Sequence, residues 1–307
     1  MPRPVLALIA ATILLSCAAE RDGGLFGPSE AGVLLVDALL LVDQPLPPIY
    51  LRRTQDPDTP YSPLAAAVGG ARIVLSTDSA TYVYAADPDS LGRYLPPPDA
   101  ADVQPQTAYG LRVETDTDTL GAQTTTPPRL RLLEVVLLDE DTLEPKRRLQ
   151  TFAESGDAVY DAPENRLRYL DDLVEIRFEP IDAVAYQLAL FSLDPDSDFI
   201  IDADFLEEDD IEEFEREGSS PPLDIDDGNA RLPWFAVAWE GRHLFKVLAI
   251  DRNWFDYVRT NPEEAGGFAA GGLAGDNFER PLFNVEGGIG LFGSASVDSV
   301  GFSVLPR

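Results

Sequence analysis

Residues 72–85 read RIVLSTDSATYVYA, and their reading decides the fold. Ile73, Leu75, Tyr82 and Tyr84 recur at every second position around the turn residues Thr77-Asp78-Ser79. A two-residue period with β-branched and aromatic side chains is that of a strand, because successive side chains leave a pleated backbone on opposite faces. The same period returns along the chain. Val33 to Val42, Ile49-Tyr50-Leu51, Tyr109 to Glu114, Arg131 to Leu138, Leu173 to Phe178, Val184 to Leu190, Phe235 to Trp239, His243 to Ile250 and Val297 to Val304 are all strand candidates. Gly69-Gly70, Asp87-Pro88, Gly92 and Pro96-Pro97-Pro98 punctuate them. Several short strands between turn signals predict an all-β fold of sandwich type.

Length divides the chain. At 307 residues, with 45% hydrophobic content, two domains of ordinary size are expected. Thr124-Thr125-Thr126-Pro127-Pro128 has the composition of a linker, so the expected units are residues 31–128 and 129–307. No repeat and no heptad pattern is visible.

Charge excludes one class of partner. Fifty-four acids against 23 bases leave a net charge of −31, and phosphate backbones need a basic surface, so no nucleic-acid partner is expected. Only Lys146 and Lys246 are lysines. Such acidity suits concentrated salt, which screens self-repulsion, while the arginine bias has a plain cause in base composition. Residues 194–227 hold sixteen acids and one base, Arg216, and stand out as an acidic insertion reaching to about residue 230. Its middle, 205–217, suits a short amphipathic helix or an unfolded loop. Residues 261–295 are rich in glycine and phenylalanine, and are expected to form a long packed loop before a last strand.

The first thirty residues read as an export signal. Arg3 precedes an apolar run, Val5 to Leu15, too short to span a bilayer. Leu14-Leu15-Ser16-Cys17 resembles the lipobox of bacterial lipoproteins, in which the thiol takes a diacylglycerol group and becomes the new N-terminus. A plain signal peptide with an incidental cysteine is the competing reading. The chain's single cysteine stands at the one position a lipobox needs, which favours lipidation at Cys17. Residues 1–16 would then be removed and 17–30 would serve as a flexible tether. By resemblance to known sorting behaviour, Ala18 after the cysteine implies the outer membrane, on its periplasmic or its outer face.

Two module resemblances follow from the strand motifs. Val68-Gly69-Gly70-Ala71-Arg72-Ile73-Val74, Gly92-Arg93-Tyr94 and Tyr109-Gly110-Leu111-Arg112-Val113 resemble a transthyretin-like or carboxypeptidase-regulatory-like immunoglobulin module. Residues 174–180, 185–188 and 245–251 resemble the B, C and F strands of a fibronectin type III sandwich, with Phe178 and Phe245 where Trp and Tyr are usual. The tail, from Arg280-Pro281 through Asn284, Gly287-Gly288 and Gly290 to Phe292, resembles a lipoprotein family of unknown function. Genes of that family often lie beside TonB-dependent outer-membrane receptors. That resemblance implies an accessory role at the outer membrane and brings no catalytic residues.

Chemistry is sparse. Asp194, Asp196 and Asp198 have the alternate spacing that can place carboxylates on Ca2+, but the sixth and twelfth positions of an EF-hand loop are Phe199 and Phe205. Asp202, Asp204, Asp226 and Asp227 could complete an irregular site; an acid run is more often a solvated face. One histidine, His243, sits in a strand pattern without a G-x-S-x-G elbow, and reads as a core histidine. No catalytic set and no cofactor is expected. Trp254, Phe255 and Tyr257 lie at an expected strand end or loop and are the candidate binding residues, with core packing the competing use. The expected function is a lipid-anchored, non-enzymatic accessory associated with a TonB-dependent transporter. An independent glycan- or peptide-binding lipoprotein is the alternative, and a carboxylate hydrolase, with or without calcium, ranks behind both.

Overall fold

The structure, a computed structural model, describes residues 31–56, 58–149, 160, 163–168, 172–201, 215–232, 236–261 and 281–306. Strands dominate it, as the two-residue period requires. In chain order they are β1 (Leu34–Leu41), β2 (Ile49–Arg53), β3 (Arg72–Ser76), β4 (Thr81–Ala86), β5 (Arg93–Leu95), β6 (Ala108–Glu114), β7 (Thr119–Thr125), β8 (Leu132–Asp139), β9 (Pro145–Leu149), β10 (Arg166–Leu167), β11 (Asp172–Phe178), β12 (Ala185–Ser192), β13 (Glu217–Ser219), β14 (Asn229–Arg231), β15 (Gly241–Ile250), β16 (Val285–Glu286) and β17 (Ile289–Val304). Among the described residues, α-helices α1 (Pro63–Ala66) and α2 (Arg252–Thr260) join them. No described helix is long and apolar enough to cross a membrane.

The near sandwich holds the first seven strands. β1, β2 and β5 form one sheet and β3, β6, β7 and β16 the other. Strand β4 turns the corner: Tyr84 pairs with Ile73 of β3, whereas Ala85 pairs with Leu95 of β5. Alternate residues enter the core, among them Leu34, Val36, Ile49, Leu51, Ile73, Leu75, Tyr94, Leu111 and Val113. Each fully buried Leu, Ile or Val contributes about 1.5–3 kcal/mol against exposure. Tyr94 fixes the corner after α1, its hydroxyl accepting from the Ala71 N–H and donating to the Val68 carbonyl.

In the far sandwich, β14, β11, β8 and β9 face β13, β12, β15 and the second half of β17. Its core gathers Val135, Leu137, Val174, Ile176, Phe178, Leu188, Phe245, Val247, Val300 and Phe302. Both halves are sandwiches, antiparallel except where β17 runs parallel to β1 and to β10, so the all-β expectation holds.

The last strand departs from expectation. It was predicted near 297–304, completing the second sheet. It begins at Ile289 and serves both halves. Residues 289–295 pair in parallel with β1, and residues 295–304 pair antiparallel with β15. Sixteen residues at ~3.3 Å each span about 50 Å. Phe292 is buried in the near core and Phe302 in the far core. Residues 31–128 therefore do not make the near sandwich alone; it borrows β16 and half of β17 from the C-terminus.

The glycines of the tail make this geometry possible. Gly287 and Gly290 have φ of +79° and +121°, and a Cβ at either would strike a carbonyl, of Thr119 and of Val36 respectively. Asn284 locks the same turn by donating to the Phe292 carbonyl at 2.7 Å and accepting from the Phe292 N–H at 2.9 Å. The tail motif read in the sequence is thus a structural corner.

Two other expectations change, and a third lies mostly outside the described residues. The Thr124–Pro128 stretch is not a free linker: Thr124 and Thr126 are buried, and Thr124 lies in β7. Its hydroxyls, not its backbone freedom, are what the fold uses. The segment expected as a strand over 235–239 carries, in its described part, one isolated bridge, Trp239 to Phe199. There Trp239 lies under the Arg216 guanidinium, 3.8 Å from ring centre. The helix considered for 205–217 falls mostly outside the described residues; its end, β13, pairs with β12.

Candidate functional site

The two sandwiches meet at an open cleft of about 790 Å3, lined by both polar and apolar groups. The near sandwich supplies Ser76, Thr77 and Asp78 after β3, Gln106 before β6, and Gln123 to Pro128 at the end of β7. The far sandwich supplies Asp182 to Val184, and Ile250 to Asn253 where β15 enters α2. Both contributions are strand ends, which places polar turn residues on rigid supports.

Asp251 organises the floor. It is the N-cap of α2: one carboxylate oxygen accepts from the Trp254 N–H at 2.8 Å, satisfying a donor that the helix start would leave open. The other accepts a hydrogen bond from the Thr124 hydroxyl. Thr124 also contacts the Ser294 hydroxyl at 2.9 Å, and the Asp251 N–H donates to the Ser294 carbonyl at 3.0 Å. Three segments far apart in sequence thus share one buried network. Burial raises the Asp251 pKa, and the hydrogen bonds from Thr124 and Trp254 only partly oppose it. Beside it, Asn253 donates to the carbonyls of Gln123 and Phe292, tying α2 to β7 and β17.

The rim is different. Asp78, Gln106, Gln123 and Asp182 are exposed, and their side chains make no hydrogen bond or ion pair among the described residues. Gln106 is held at φ +50°, in the left-handed region that a non-glycine residue rarely occupies. The arrangement offers donors and acceptors on two supports, with carboxylates outnumbering the one nearby guanidinium, Arg252. It suits a polar, neutral or cationic ligand surface and disfavours an anion.

The sequence candidates fall elsewhere or take other duties. Cys17 lies outside the described residues. Asp194 is occupied: Arg242 approaches one oxygen at 2.6 and 2.9 Å, and the Arg242 N–H donates to the other at 2.7 Å. The Arg242 hydrogen bonds hold the Asp194 pKa below the ordinary carboxylate range. Among the described residues no three metal-ligating side chains come together, so Asp194, Asp196 and Asp198 do not form a calcium site there. Asp202 and Asp204 lie outside the described residues.

Trp254, Phe255 and Tyr257 stand on α2, not in a loop or at a strand end. Asp251 as cap, with apolar residues at 254, 255 and 258, is the helix signal that the reading as a strand end or loop passed over. Trp254 and Phe255 are half-buried against Ala185, Ile250 and Ala295 at the joint. Phe255 also lies between Arg252 and Arg259, at 5.7 and 5.6 Å. Tyr257 packs near Phe283 at 6.3 Å. These aromatics brace the helix that carries Asp251 and Asn253. His243 is buried on β15, stacked on Phe302 at 5.4 Å, with Nδ1 hydrogen-bonded to the Gly241 carbonyl. Burial pushes its pKa down to about 4, so it is neutral near pH 7.

Residues 26–300 match a family described as a domain of unknown function, DUF4249. A search of curated proteins finds no match.

Proposed function

The chain belongs to the DUF4249 family, and from that premise we propose that it is a lipid-anchored, non-enzymatic binding accessory of the outer membrane, working beside a TonB-dependent transporter. The cleft carries this reading. Asp78, Gln106, Gln123 and Asp182 present unused hydrogen-bonding capacity across two sandwiches that one continuous strand holds in register. Its Thr124, Ser294 and Asp251 groups are engaged with one another and with a helix start, an arrangement that suits holding a surface more than attacking a substrate.

The position of the cleft supports the same reading. The described chain starts at residue 31 beside Thr54, at one end of β1, and β1 runs from there toward the joint. An anchor at Cys17 therefore leaves the cleft on the side of the near sandwich away from the tether. A partner projecting from the bilayer would meet it there.

The test is purification of a C-terminally tagged chain from gently solubilised membranes at native salt, with Cys17→Ala as the unanchored control. A TonB-dependent receptor recovered at near-stoichiometric yield, and lost in a Gln106→Ala/Asp182→Ala double variant, supports the proposal. An outer-membrane chain that retains no receptor points to the free-standing glycan or peptide binder instead.

A further inference from the structure

The near sandwich has one end unlike the rest of the molecule. Residues 59–71, TPYSPLAAAVGGA, contain no charge, and this is the longest such run among the described residues of a chain that is one quarter charged. The run leaves large apolar groups in water: Tyr61 is 63% exposed and Leu64 on α1 is 72% exposed. Leu91, 55% exposed, joins them from the β4–β5 turn, where a Cβ on Gly69 would lie 2.8 Å from its Cδ1. A monomeric surface in water has little reason to group such side chains.

Hydrogen bonds place this tip beside the chain's entry. The Gly32 N–H donates to the Thr54 carbonyl, and the Thr54 N–H to that of Val33. Gln55, the next residue, clasps Ser62 through both its amide atoms, at 2.8 and 2.9 Å. Ser62 is the N-cap of α1 and follows Tyr61 directly. Ala67, just past α1, bridges to Arg52, and Gly92, just after Leu91, accepts from the Leu51 N–H. Tyr61, Leu64 and Leu91 thus crowd the end of β2, beside Gly32 and Val33.

We propose that this tip is a membrane-seating surface: Tyr61, Leu64 and Leu91 enter the interfacial region of the bilayer that holds the lipid on Cys17. The inference rests on the anchoring reading given above. Fourteen residues of any chain reach at most about 50 Å, and about 20 Å as a flexible coil, so a lipid on Cys17 does not by itself fix which face of the sandwich meets the bilayer. A second, weak apolar contact suffices, because the tether already holds the tip at high local concentration. Exposed Asp56, Asp58, Asp89 and Asp116 and exposed Arg52 and Arg72 flank the tip, and such mixed charge fits a zwitterionic lipid surface. Seating the tip would set the cleft outward.

The experiment uses the full lipidated chain in phosphatidylcholine vesicles. An environment-sensitive fluorophore is attached at Leu64→Cys or Leu91→Cys, with Leu133→Cys on β8 of the far sandwich as control. Cys17 is blocked by its own lipid, and the mass of its peptide reports lipidation independently. The expected result is a blue shift and quenching by lipid-borne quenchers at 64 and 91, and neither at 133. Probes at 64 and 91 that stay aqueous on a chain shown to be lipidated would overturn the proposal. Shielding that appears only after a transporter is added would also overturn it, in favour of a protein-docking face. An unmodified Cys17 would instead refute the anchoring itself. A Leu64→Ser/Leu91→Ser variant, still folded by circular dichroism, should show greater mobility on the vesicle than the parent.

Discussion

Replacing Phe302 by alanine is expected to loosen both halves of the molecule at once. Its side chain is fully buried in the far core, stacked on His243. Removing such a phenylalanine costs about 3–5 kcal/mol, the transfer of the ring plus the cavity it leaves. Phe302 belongs to the far core, but it sits on β17, whose first half pairs with β1 and delivers Phe292 to the near core. If that strand makes one cooperative unit, the loss reaches strands of the near sandwich remote from the substitution. At about 1.4 kcal/mol per tenfold change, the slowest-exchanging amides should lose protection by roughly 100-fold or more in both halves. Native-state hydrogen exchange on the soluble Cys17→Ala chain reads this directly, comparing β6 of the near sandwich with β11 of the far one. Loss at β11 with β6 unchanged would show two independent domains, and would refute the shared role given to β17.

Four further outcomes follow from named groups. Asp251→Ala should destabilise by about 2–4 kcal/mol in chemical denaturation, since it removes an N-cap and strands the Thr124 hydroxyl; a cost under about 0.5 kcal/mol would contradict the cap and network. Because burial raises the folded pKa of Asp251, its contribution is complete below pH 3.8 and declines as pH rises through the folded value, so Asp251→Asn should flatten that decline. His243 runs the opposite way: with its pKa pushed from 6.5 to about 4, it favours the native state at neutral pH, and about 3 kcal/mol should be lost as pH falls from 6.5 to 4; His243→Phe, compared with the parent across that window, should abolish this component. Thermal stability should rise with added salt, because a net charge of −31 repels itself and screening shortens its range, whereas a chelator should leave the melting temperature unchanged, since Arg242 already occupies both oxygens of Asp194.

How far the sequence carried depended on the kind of signal. Strands with a two-residue period were legible almost to the residue: Arg72–Ser76 was read with its observed bounds, and the strands at 132–139, 172–178 and 241–250 within two residues. Such strands announce themselves because one face is buried and the other is not. The joint was not legible, because its signals are ambiguous in one dimension. A run of threonines and prolines reads as a linker unless the partners of its hydroxyls are known, and those partners, Asp251 and Ser294, lie 127 and 170 residues from Thr124. Gly290, Gly293, Ser294 and Ala295 looked like loop, yet they are buried in β17 where it passes β1, β15 and α2, and a Cβ on Gly290 would strike the Val36 carbonyl. The aromatic run at 254–257 was visible, but it was placed at a strand end or loop, whereas it lies in a helix. The cap at Asp251 was the available clue, and it also marked the floor of the cleft. The Asp194 series shows the converse: correct spacing for a cation, cancelled by a guanidinium that the topology delivers from β15.

The account as a whole hangs on where the chain is held. The orientation of the cleft and the seating of the tip both assume that the mature protein starts at Cys17 and carries lipid there. The direct test is the intact mass and N-terminal peptide of the protein purified from outer membranes. The account predicts a chain beginning at Cys17, with a diacylglyceryl thioether and a blocked amine. A chain that begins at any other residue, or one whose Cys17 thiol still reacts with a maleimide, would contradict it.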